Sequence, residues 1–409
     1  MKKNIFLPIS ILFALLCSIN LSGCKSSEKP ADLIVVDFSQ EYPLLDWKLS
    51  DIAEISYIPL QGGDSAKLLS YASSFANQIH IDDEHIFIGD FSPYRKDGQW
   101  HRFSPQNGKL ELFDTEGKHL KTIFRAKEEN EEILFGLDCP YEIDEEKKEI
   151  YAFSGYGKFI RAFNYNGDIL ANGSKITVEN CKDSKLFGDT LVLLYLDSRF
   201  VISKGEEWDD GATMKLYDTR TGQFIPHKGF QFAKPYGLND IYMSSSVTYT
   251  ANGIYILTSR TDTVYYLNRK LEMTPKFLSV QQSEDAVNLV CPLVETEDYI
   301  LFCNSQDSKA NREKRFKNAN YIYMKGEKQI YQLPCSNYFP EDKEEILWKD
   351  EFLLSCYNLT KTPNTLAAVL PIPFLKEHYN LLPSDLKQIA ASASEEDNPV
   401  LMVMRFGKK

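Results

Sequence analysis

Residues 112–120 read Leu-Phe-Asp-Thr-Glu-Gly-Lys-His-Leu, and this pattern predicts a tight β-hairpin. An aromatic residue ends one strand, the Asp side chain caps the turn, Gly adopts the positive φ of the turn, and a hydrophobic residue opens the next strand. The pattern returns at residues 162–170 and 216–224, and without its Gly at residues 266–271. A hairpin that recurs along the chain indicates a fold built from copies of one antiparallel unit.

A second repeated element is an acidic or Gly-containing turn followed by a strand of β-branched and aromatic residues. Six such strands are present, with leading apolar residues Ile86, Ile150, Leu191, Ile254, Ile300 and Phe352. Their intervals of 64, 41, 63, 46 and 52 residues are typical of four-stranded antiparallel blades with variable loops. The sequence therefore predicts an all-β protein, a six-bladed β-propeller. A β-sandwich is the alternative, but it does not explain the repeated order of these elements.

The two ends of the chain predict how the ring closes. Residues 54–60 form a predicted strand before the first full unit, and residues 400–406 form one after the last unit. A blade that combines strands from both termini joins the first and last blades, so we predict a shared closing blade. The helical spacing of Leu386, Ile389 and Ala390 predicts a short C-terminal helix before the last strand.

The composition agrees with an all-β domain and limits the partners. The chain has 409 residues, of which 43% are hydrophobic and 13% aromatic, enough to bury a large core and rich in residues that pack on pleated sheets. The formal net charge is -12, which repels the phosphates of nucleic acids. We therefore expect no nucleic-acid partner.

The first 24 residues predict export and lipid attachment. Positive charge at residues 1–3 precedes a mostly apolar stretch over residues 5–21, which has the character of a secretory signal and is shorter than a membrane span. Residues 21–24, Leu-Ser-Gly-Cys, resemble the lipobox of bacterial lipoproteins, in which the Cys is diacylated before cleavage. The alternative is an ordinary signal peptide with a chance cysteine at Cys24.

Cleavage before Cys24 would divide the chain into three segments. We predict a lipoprotein signal peptide over residues 1–23, the lipidated Cys and a tether over residues 24–50, and a single propeller domain over residues 51–409. Acyl chains on Cys24 would hold the protein at a membrane without a spanning helix. The predicted location is the cell envelope, as an outer-membrane lipoprotein that faces either the periplasm or the cell surface.

These features together resemble a known family. The lipobox, the early strand, the two repeated elements and residues 396–401, Glu-Asp-Asn-Pro-Val-Leu, are similar to the six-bladed β-propeller lipoproteins of Bacteroides and relatives. The resemblance spans most of residues 50–409. It implies a TolB-like or NHL-like ring in the cell envelope and a family without an established biochemical activity. The chain departs from the family at residues 125–132, where a Gly-Pro-Gly-Glu-like turn is common; a ligand site that used this turn would be lost or changed here.

Motif searches give no local catalytic site. The sequence contains no His-Glu-x-x-His, Gly-x-Ser-x-Gly, phosphate-loop, dinucleotide-binding or EF-hand pattern, and we predict no catalytic residue, metal or cofactor. His80 and His85 flank an Asp-Asp-Glu stretch, which we interpret as a solvated acidic turn and not as a metal site. An enzyme stays open as the alternative, because propeller active sites combine residues from separate blades.

Two cysteines have a predicted geometry. A hairpin centred on Glu297 would place Cys291 opposite Cys303, as it would place Leu293 opposite Leu301. In an exported protein such a pair can form a disulfide. The alternative is a pair of buried thiols that pack as small hydrophobic residues.

Three insertions, over residues 91–103, 203–212 and 305–320, carry the candidate ligand-binding residues. These residues are Tyr94, Arg95, Trp100, His101, Trp208, Asp209, Asp210, Arg312 and Arg315. Exposed aromatic faces pack on sugar rings or side chains, and polar neighbours fix the orientation of the ligand. The alternative is that Trp100 and Trp208 cover their own blades.

We therefore predict a lipid-anchored cell-envelope propeller that acts as a binding module for a glycan, peptide or protein partner. The alternative function is a polysaccharide hydrolase or lyase with carboxylates from different blades converging in the central funnel. Two carboxylates roughly 5 to 9.5 Å apart in one pocket would favour the enzyme.

Overall fold

The computed structural model is a ring of small, mainly antiparallel sheets, and it confirms the predicted six-bladed β-propeller. The residues that the structure describes are 32–62, 68, 79–90, 94–96, 99–101, 109–125, 141–153, 159–170, 176–177, 181, 183–195, 213–226, 246–257, 262–280, 286–308, 319–334, 354 and 359–407.

Blades 1 to 3 each contain four antiparallel strands that pair in chain order. Blade 1 comprises β3 (Ile79–Ile81), β4 (His85–Asp90), β7 (Lys109–Asp114) and β8 (His119–Arg125). Blade 2 comprises β9 (Tyr141–Asp144), β10 (Glu149–Phe153), β11 (Phe159–Asn164) and β12 (Ile176–Thr177). Blade 3 comprises β13 (Asp183–Phe187), β14 (Thr190–Tyr195), β15 (Thr213–Asp218) and β16 (Gln223–Ile225).

Blades 4 and 5 follow the same plan. Blade 4 comprises β17 (Ser246–Thr250), β18 (Gly253–Leu257), β19 (Thr263–Asn268) and β20 (Met273–Val280), with β1 (Ile34–Asp37) added in parallel to β20. Blade 5 comprises β21 (Ala286–Glu295), β22 (Tyr299–Ser308), β23 (Asn320–Met324) and β24 (Gln329–Gln332). A separate hairpin of β5 (Tyr94–Lys96) and β6 (Gln99–His101) lies between the second and third strands of blade 1.

Blade 6 is the closing blade, and it is shared by the two ends of the chain as predicted. It comprises β25 (Thr365–Leu370), β26 (Val400–Phe406) and the N-terminal strand β2 (Ala53–Pro59). β2 pairs with β26 without interruption, from Ala53 opposite Phe406 to Pro59 opposite Val400. Among the described residues, an isolated bridge between Leu359 and Leu366 stands in the place of a fourth strand.

The sixth repeat strand, predicted at Phe352, lies outside the described residues. The strand of blade 6 that corresponds to the other second strands is β25, because it pairs with β26 as β22 pairs with β23. Its preceding turn, residues 362–364, is Thr-Pro-Asn and carries no acidic residue. The second strand of blade 6 therefore lacks the acidic turn on which the repeat was predicted.

The segment over residues 32–62, here called the N-terminal strap, differs from the predicted tether. β1 pairs with blade 4. Leu45 and Pro43 then form backbone hydrogen bonds with Gln332 of blade 5. β2 completes blade 6, and Gln61 N–H donates to the Gly117 carbonyl oxygen of blade 1. The strap packs on the ring because it buries apolar side chains: Ile34 and Val36 are 6% and 0% exposed.

Within the described residues, helices occur at two places. A short helix α1 (Leu49–Ile52) precedes β2. Between β25 and β26 the chain forms α2 (Ile372–Glu377), a 3-10 turn (Tyr379–Leu381) and α3 (Ser384–Ser392). The predicted C-terminal helix is α3, whereas α1 and α2 were not predicted.

Apolar side chains fill the spaces between neighbouring blades. Four buried clusters link blades 6 and 1, blades 1 to 3, blades 3 and 4, and blades 4 to 6. This sequence of contacts connects all six blades in a closed circle, so that the hydrophobic effect stabilises the ring at every blade interface.

Candidate functional site

The strand order gives the ring two different faces. In blades 1 and 5 the first and second strands are joined by short turns at residues 82–84 and 296–298; we call the face that carries these turns the turn face. Connections between second and third strands leave from the opposite side, because successive strands are antiparallel. We call that side the loop face.

All three insertions predicted to bind ligand connect a second strand to a third strand, in blades 1, 3 and 5. The described strands that flank these insertions therefore end on the loop face. Within the first insertion, β5 and β6 pair Tyr94 with His101 and Arg95 with Trp100. The other candidates lie outside the described residues: Trp208, Asp209, Asp210, Arg312 and Arg315.

The loop face also carries the helices of blade 6, which occupy the same position between a second and a third strand. Leu375 of α2 and Leu386 of α3 are fully buried, whereas Tyr379 and Leu381 in the 3-10 turn between these helices are 40% and 49% exposed. This exposed aromatic and aliphatic pair was missed in the sequence, where it lies in a short irregular stretch between two helices.

Polar side chains from four blades meet at the centre of the ring. Lys361 Nζ lies 3.2 Å from Glu142 Oε1 and 3.1 Å from the Tyr249 hydroxyl. That hydroxyl donates to the Ser184 carbonyl oxygen at 3.0 Å, and Leu186 N–H donates to Glu142 Oε2 at 3.2 Å. We call Glu142, Ser184, Tyr249 and Lys361 the central cluster.

The central cluster is closed to solvent. Glu142 is 3% exposed and Lys361 is 4% exposed. Removing two charges from water is costly, and the cost is offset only when the charges pair and their remaining hydrogen-bonding sites are occupied. Glu142 meets this condition through Lys361, Tyr249, Ser184 and a backbone N–H. Its carboxylate therefore connects blades and does not reach a ligand.

Two further groups surround the central cluster. Lys185 Nζ lies 4.6 Å from the centroid of the Tyr249 ring. Burial lowers the pKa of Lys185. The negative charge of Glu142 raises this pKa and the positive charge of Lys361 lowers it, and the net shift is downward. His80 of blade 1 pairs with Glu145 of blade 2 at 2.9 Å, and this hydrogen bond lowers the pKa of the Glu145 carboxyl.

The two histidines considered as metal ligands have separate partners. His80 pairs with Glu145, while His85 lies 3.3 Å from Asp82 of its own turn. Over the described parts of the chain, no group of three or more His, Cys, Asp or Glu side chains is arranged to hold a metal ion.

Cys291 and Cys303 lie directly opposite each other on β21 and β22, at the predicted register. Both are buried thiols in the structure. The register that was expected to pair Leu293 with Leu301 is wrong, because a bulge between Pro292 and Val294 sets Val294 opposite Leu301.

Comparison with known proteins establishes the fold. Neither a protein-family model nor a curated protein sequence matches the chain. The structure is similar to that of a putative exported protein from Bacteroides fragilis, with a TM-score of 0.60 and 16% identity over 92% of this chain and 100% of that chain. The chain is a six-bladed β-propeller. At this identity the similarity confirms the fold implied by the resemblance to Bacteroides propellers.

Two further solved structures are similar to the chain at lower TM-scores. One is a member of the DUF4221 family from Bacteroides vulgatus, with a TM-score of 0.43 and 11% identity over 87% of this chain and 97% of that one. The other is virginiamycin B lyase from Staphylococcus aureus, with a TM-score of 0.39 and 6% identity over 86% and 99% of the two chains.

In the described part of this chain, no helix is long and apolar enough to cross a membrane.

Proposed function

We propose that this protein is an extracytoplasmic binding module that takes a glycan, peptide or protein partner on its loop face. One observation carries the proposal: the strands that flank the three aromatic-containing insertions end on the same face as the exposed pair Tyr379 and Leu381, which also lies between a second and a third strand. Aromatic and aliphatic side chains on a rigid scaffold are typical of recognition surfaces.

The central cluster does not supply the carboxylate that polysaccharide hydrolysis or elimination requires. Both reactions require a carboxylate or other base that contacts the substrate. Glu142 is 3% exposed and already accepts hydrogen bonds from protein donors. The carboxylate at the centre of the ring is therefore unsuited to either catalytic role.

The proposed location is the cell envelope, with Cys24 as the lipid attachment site. The solved structure with a TM-score of 0.60 is that of a putative exported protein, which supports an extracytoplasmic location, and the lipobox at residues 21–24 supports the anchor. Replacing Cys24 by Ser should move the protein from the membrane fraction to soluble or unprocessed material, because the thiol carries the acyl chains. Unchanged lipid labelling of this variant would contradict the anchor.

The binding surface is tested with a glycan and peptide array probed with the mature chain made as the Cys24→Ser variant. For a ligand found in this way, Trp100→Ala or Trp208→Ala should reduce affinity about five- to tenfold, the effect of one lost aromatic contact. The matched control is Phe224→Ala, since Phe224 is 44% exposed on outer strand β16. Its affinity should match that of the parent.

Thermal unfolding separates this result from a structural role of the tryptophans. Truncating a buried aromatic residue costs about 3 to 5 kcal/mol of folding free energy, whereas an exposed one costs little. A large fall in melting temperature for both variants, with unchanged binding by the folded fraction, would show that the two residues cover their blades and would remove these loops from the proposed site.

A further inference from the structure

A cleft on the turn face lies between blades 4, 5 and 6, on the side of the ring opposite to the proposed loop-face site. Its volume is about 770 Å³. The residues that the argument uses are Asn252, Tyr266, Glu295, Glu297, Asp298 and Lys325. None of them belongs to the central cluster or to the three predicted insertions.

The cleft is held open by contacts between the blades. Asn364 of blade 6 accepts a hydrogen bond from Glu295 N–H of blade 5 at 3.3 Å. The Tyr299 hydroxyl of blade 5 donates to the Ile52 carbonyl oxygen at 3.4 Å. These bonds fix blade 5 to blade 6 and to α1, and the Tyr255 hydroxyl of blade 4 donates to Glu295 of blade 5. A ligand would therefore enter a site that is already formed.

Tyr266 provides an aromatic surface in the cleft. Its ring is half-buried and lies 5.0 Å from the Tyr255 ring, centroid to centroid. One side of the ring packs on Gly253, where a Cβ atom would come within 2.8 Å of the ring and would overlap the Leu267 carbonyl oxygen. Gly253 is therefore required by the close approach of the ring, and the ring is positioned by the backbone beneath it.

The polar groups of the cleft divide into a paired floor and an unpaired rim. On the floor, Glu295 accepts hydrogen bonds from the Tyr255 hydroxyl and from Lys325 Nζ, both at 2.8 Å. On the rim, Glu297 and Asp298 are exposed. Within the described residues their carboxylates have no hydrogen-bond or ion-pair partner.

We propose that this cleft binds a saccharide that carries no negative charge. An aromatic face packs on the apolar face of a sugar ring, while planar carboxylate and amide groups accept and donate hydrogen bonds to its hydroxyls. Tyr266 supplies the first element, and Asp298 and Asn252 supply the second. Four carboxylates against one lysine line the cleft, so a uronic acid would be repelled.

The proposal is tested by titrating the Cys24→Ser chain with tetrasaccharides of glucose, mannose and N-acetylglucosamine, and with a galacturonic acid tetramer of the same length. At least one neutral tetrasaccharide should bind, and the galacturonic acid tetramer should bind at least tenfold more weakly. Tyr266→Ala should lower the affinity for the neutral tetrasaccharide about tenfold. Tyr266→Phe should keep most of this affinity, because the aromatic ring is retained.

Two further variants make the outcome decisive. Asp298→Asn should reduce the difference in affinity between the neutral and the acidic tetramers, because it removes a negative charge and keeps a hydrogen-bonding group. Phe224→Ala, on outer strand β16 of blade 3 and outside the cleft, should leave this binding unchanged. Equal binding of the acidic tetramer, no binding of any neutral one, or unchanged binding by folded Tyr266→Ala and Tyr266→Phe would each overturn the proposal.

Discussion

Glu142 connects blade 2 to three other blades through one carboxylate, with partners on blades 3, 4 and 6. Such a residue stabilises the ring only while its cationic partner is present. Removing one member of a buried ion pair leaves an uncompensated charge and typically costs about 3 to 5 kcal/mol, whereas replacing both members by apolar groups of similar size is often neutral.

We therefore expect Lys361→Met to lower the free energy of unfolding by about 3 to 5 kcal/mol, and the double variant Glu142→Leu/Lys361→Met to recover most of this loss. Urea unfolding measures both. The control is Glu84→Gln, which removes an exposed pair with Lys148 at 3.7 Å and should change stability by less than about 1 kcal/mol. Equal effects of Lys361→Met and Glu84→Gln would contradict the structural role of the central cluster.

Residues of this kind are difficult to predict from sequence. Glu142 alternates with apolar residues in Tyr141-Glu142-Ile143, and this pattern is typical of a strand with one solvated face. Its partner Lys361 is 219 residues away, so no local spacing connects them. Cys291 and Cys303 were predictable as a facing pair because a single hairpin determines their register, and the nearby bulge, which depends on packing, was not.

At the scale of elements, the repeated hairpin was predicted correctly, and the structure adds a second reason for its Gly. Gly117 and Gly167 have φ of +86° and +91°, and the caps are formed by the side chains of Asp114 and Asn164. A Cβ atom at Gly117 would overlap the Pro59 carbonyl oxygen of blade 6, and one at Gly167 would overlap the Ile123 carbonyl oxygen of blade 1. Each turn therefore packs directly on the outer strand of the preceding blade.

This packing predicts unequal costs for Gly→Ala substitutions at positive φ. Gly188 has φ of +56°, and no atom lies within 4 Å of the place that a Cβ atom would take, so Gly188→Ala should cost only the left-handed strain of roughly 1 to 2 kcal/mol. Gly117→Ala and Gly167→Ala add a steric overlap with backbone and should cost roughly 2 to 4 kcal/mol. Urea unfolding of the three variants measures the difference. Equal losses at all three positions would show that the blade contact adds nothing.

Blade 6 lacks the signature of the repeat. Five of the six predicted repeat strands, those led by Ile86, Ile150, Leu191, Ile254 and Ile300, are second strands in the structure, and the sixth, at Phe352, lies outside the described residues. In blade 6 the turn before β25 contains Pro363 and Asn364 and no carboxylate. Asn364 has φ of +53°, a conformation that Asn tolerates, so a different residue performs the same backbone role without the signature.

At the scale of the whole molecule, the chain closes the ring by bringing its two ends into one sheet. β26 lies between β2 and β25 and pairs with both. Val400, Leu401 and Val403 of β26 are each 0% exposed. The N-terminal strap extends the same principle, because it contacts blades 4, 5, 6 and 1 in succession. The order of these contacts could not be read from the sequence, since the strap carries no repeat.

Deleting residues 400–409 should therefore destabilise the entire ring and not only its terminus. The deletion removes β26 and exposes edges on β2 and β25. It also removes Leu401 and Val403 from the buried cluster between blades 6 and 1, and open edges promote association between chains. A chain that begins at residue 61 should behave in the same way, because it removes the other half of the same pairing. Deletion of residues 408–409 alone is the control, and its thermal unfolding midpoint should equal that of the parent. Thermal unfolding decides the matter: a midpoint for the 400–409 deletion within a degree or two of the parent would show that the termini do not close the ring.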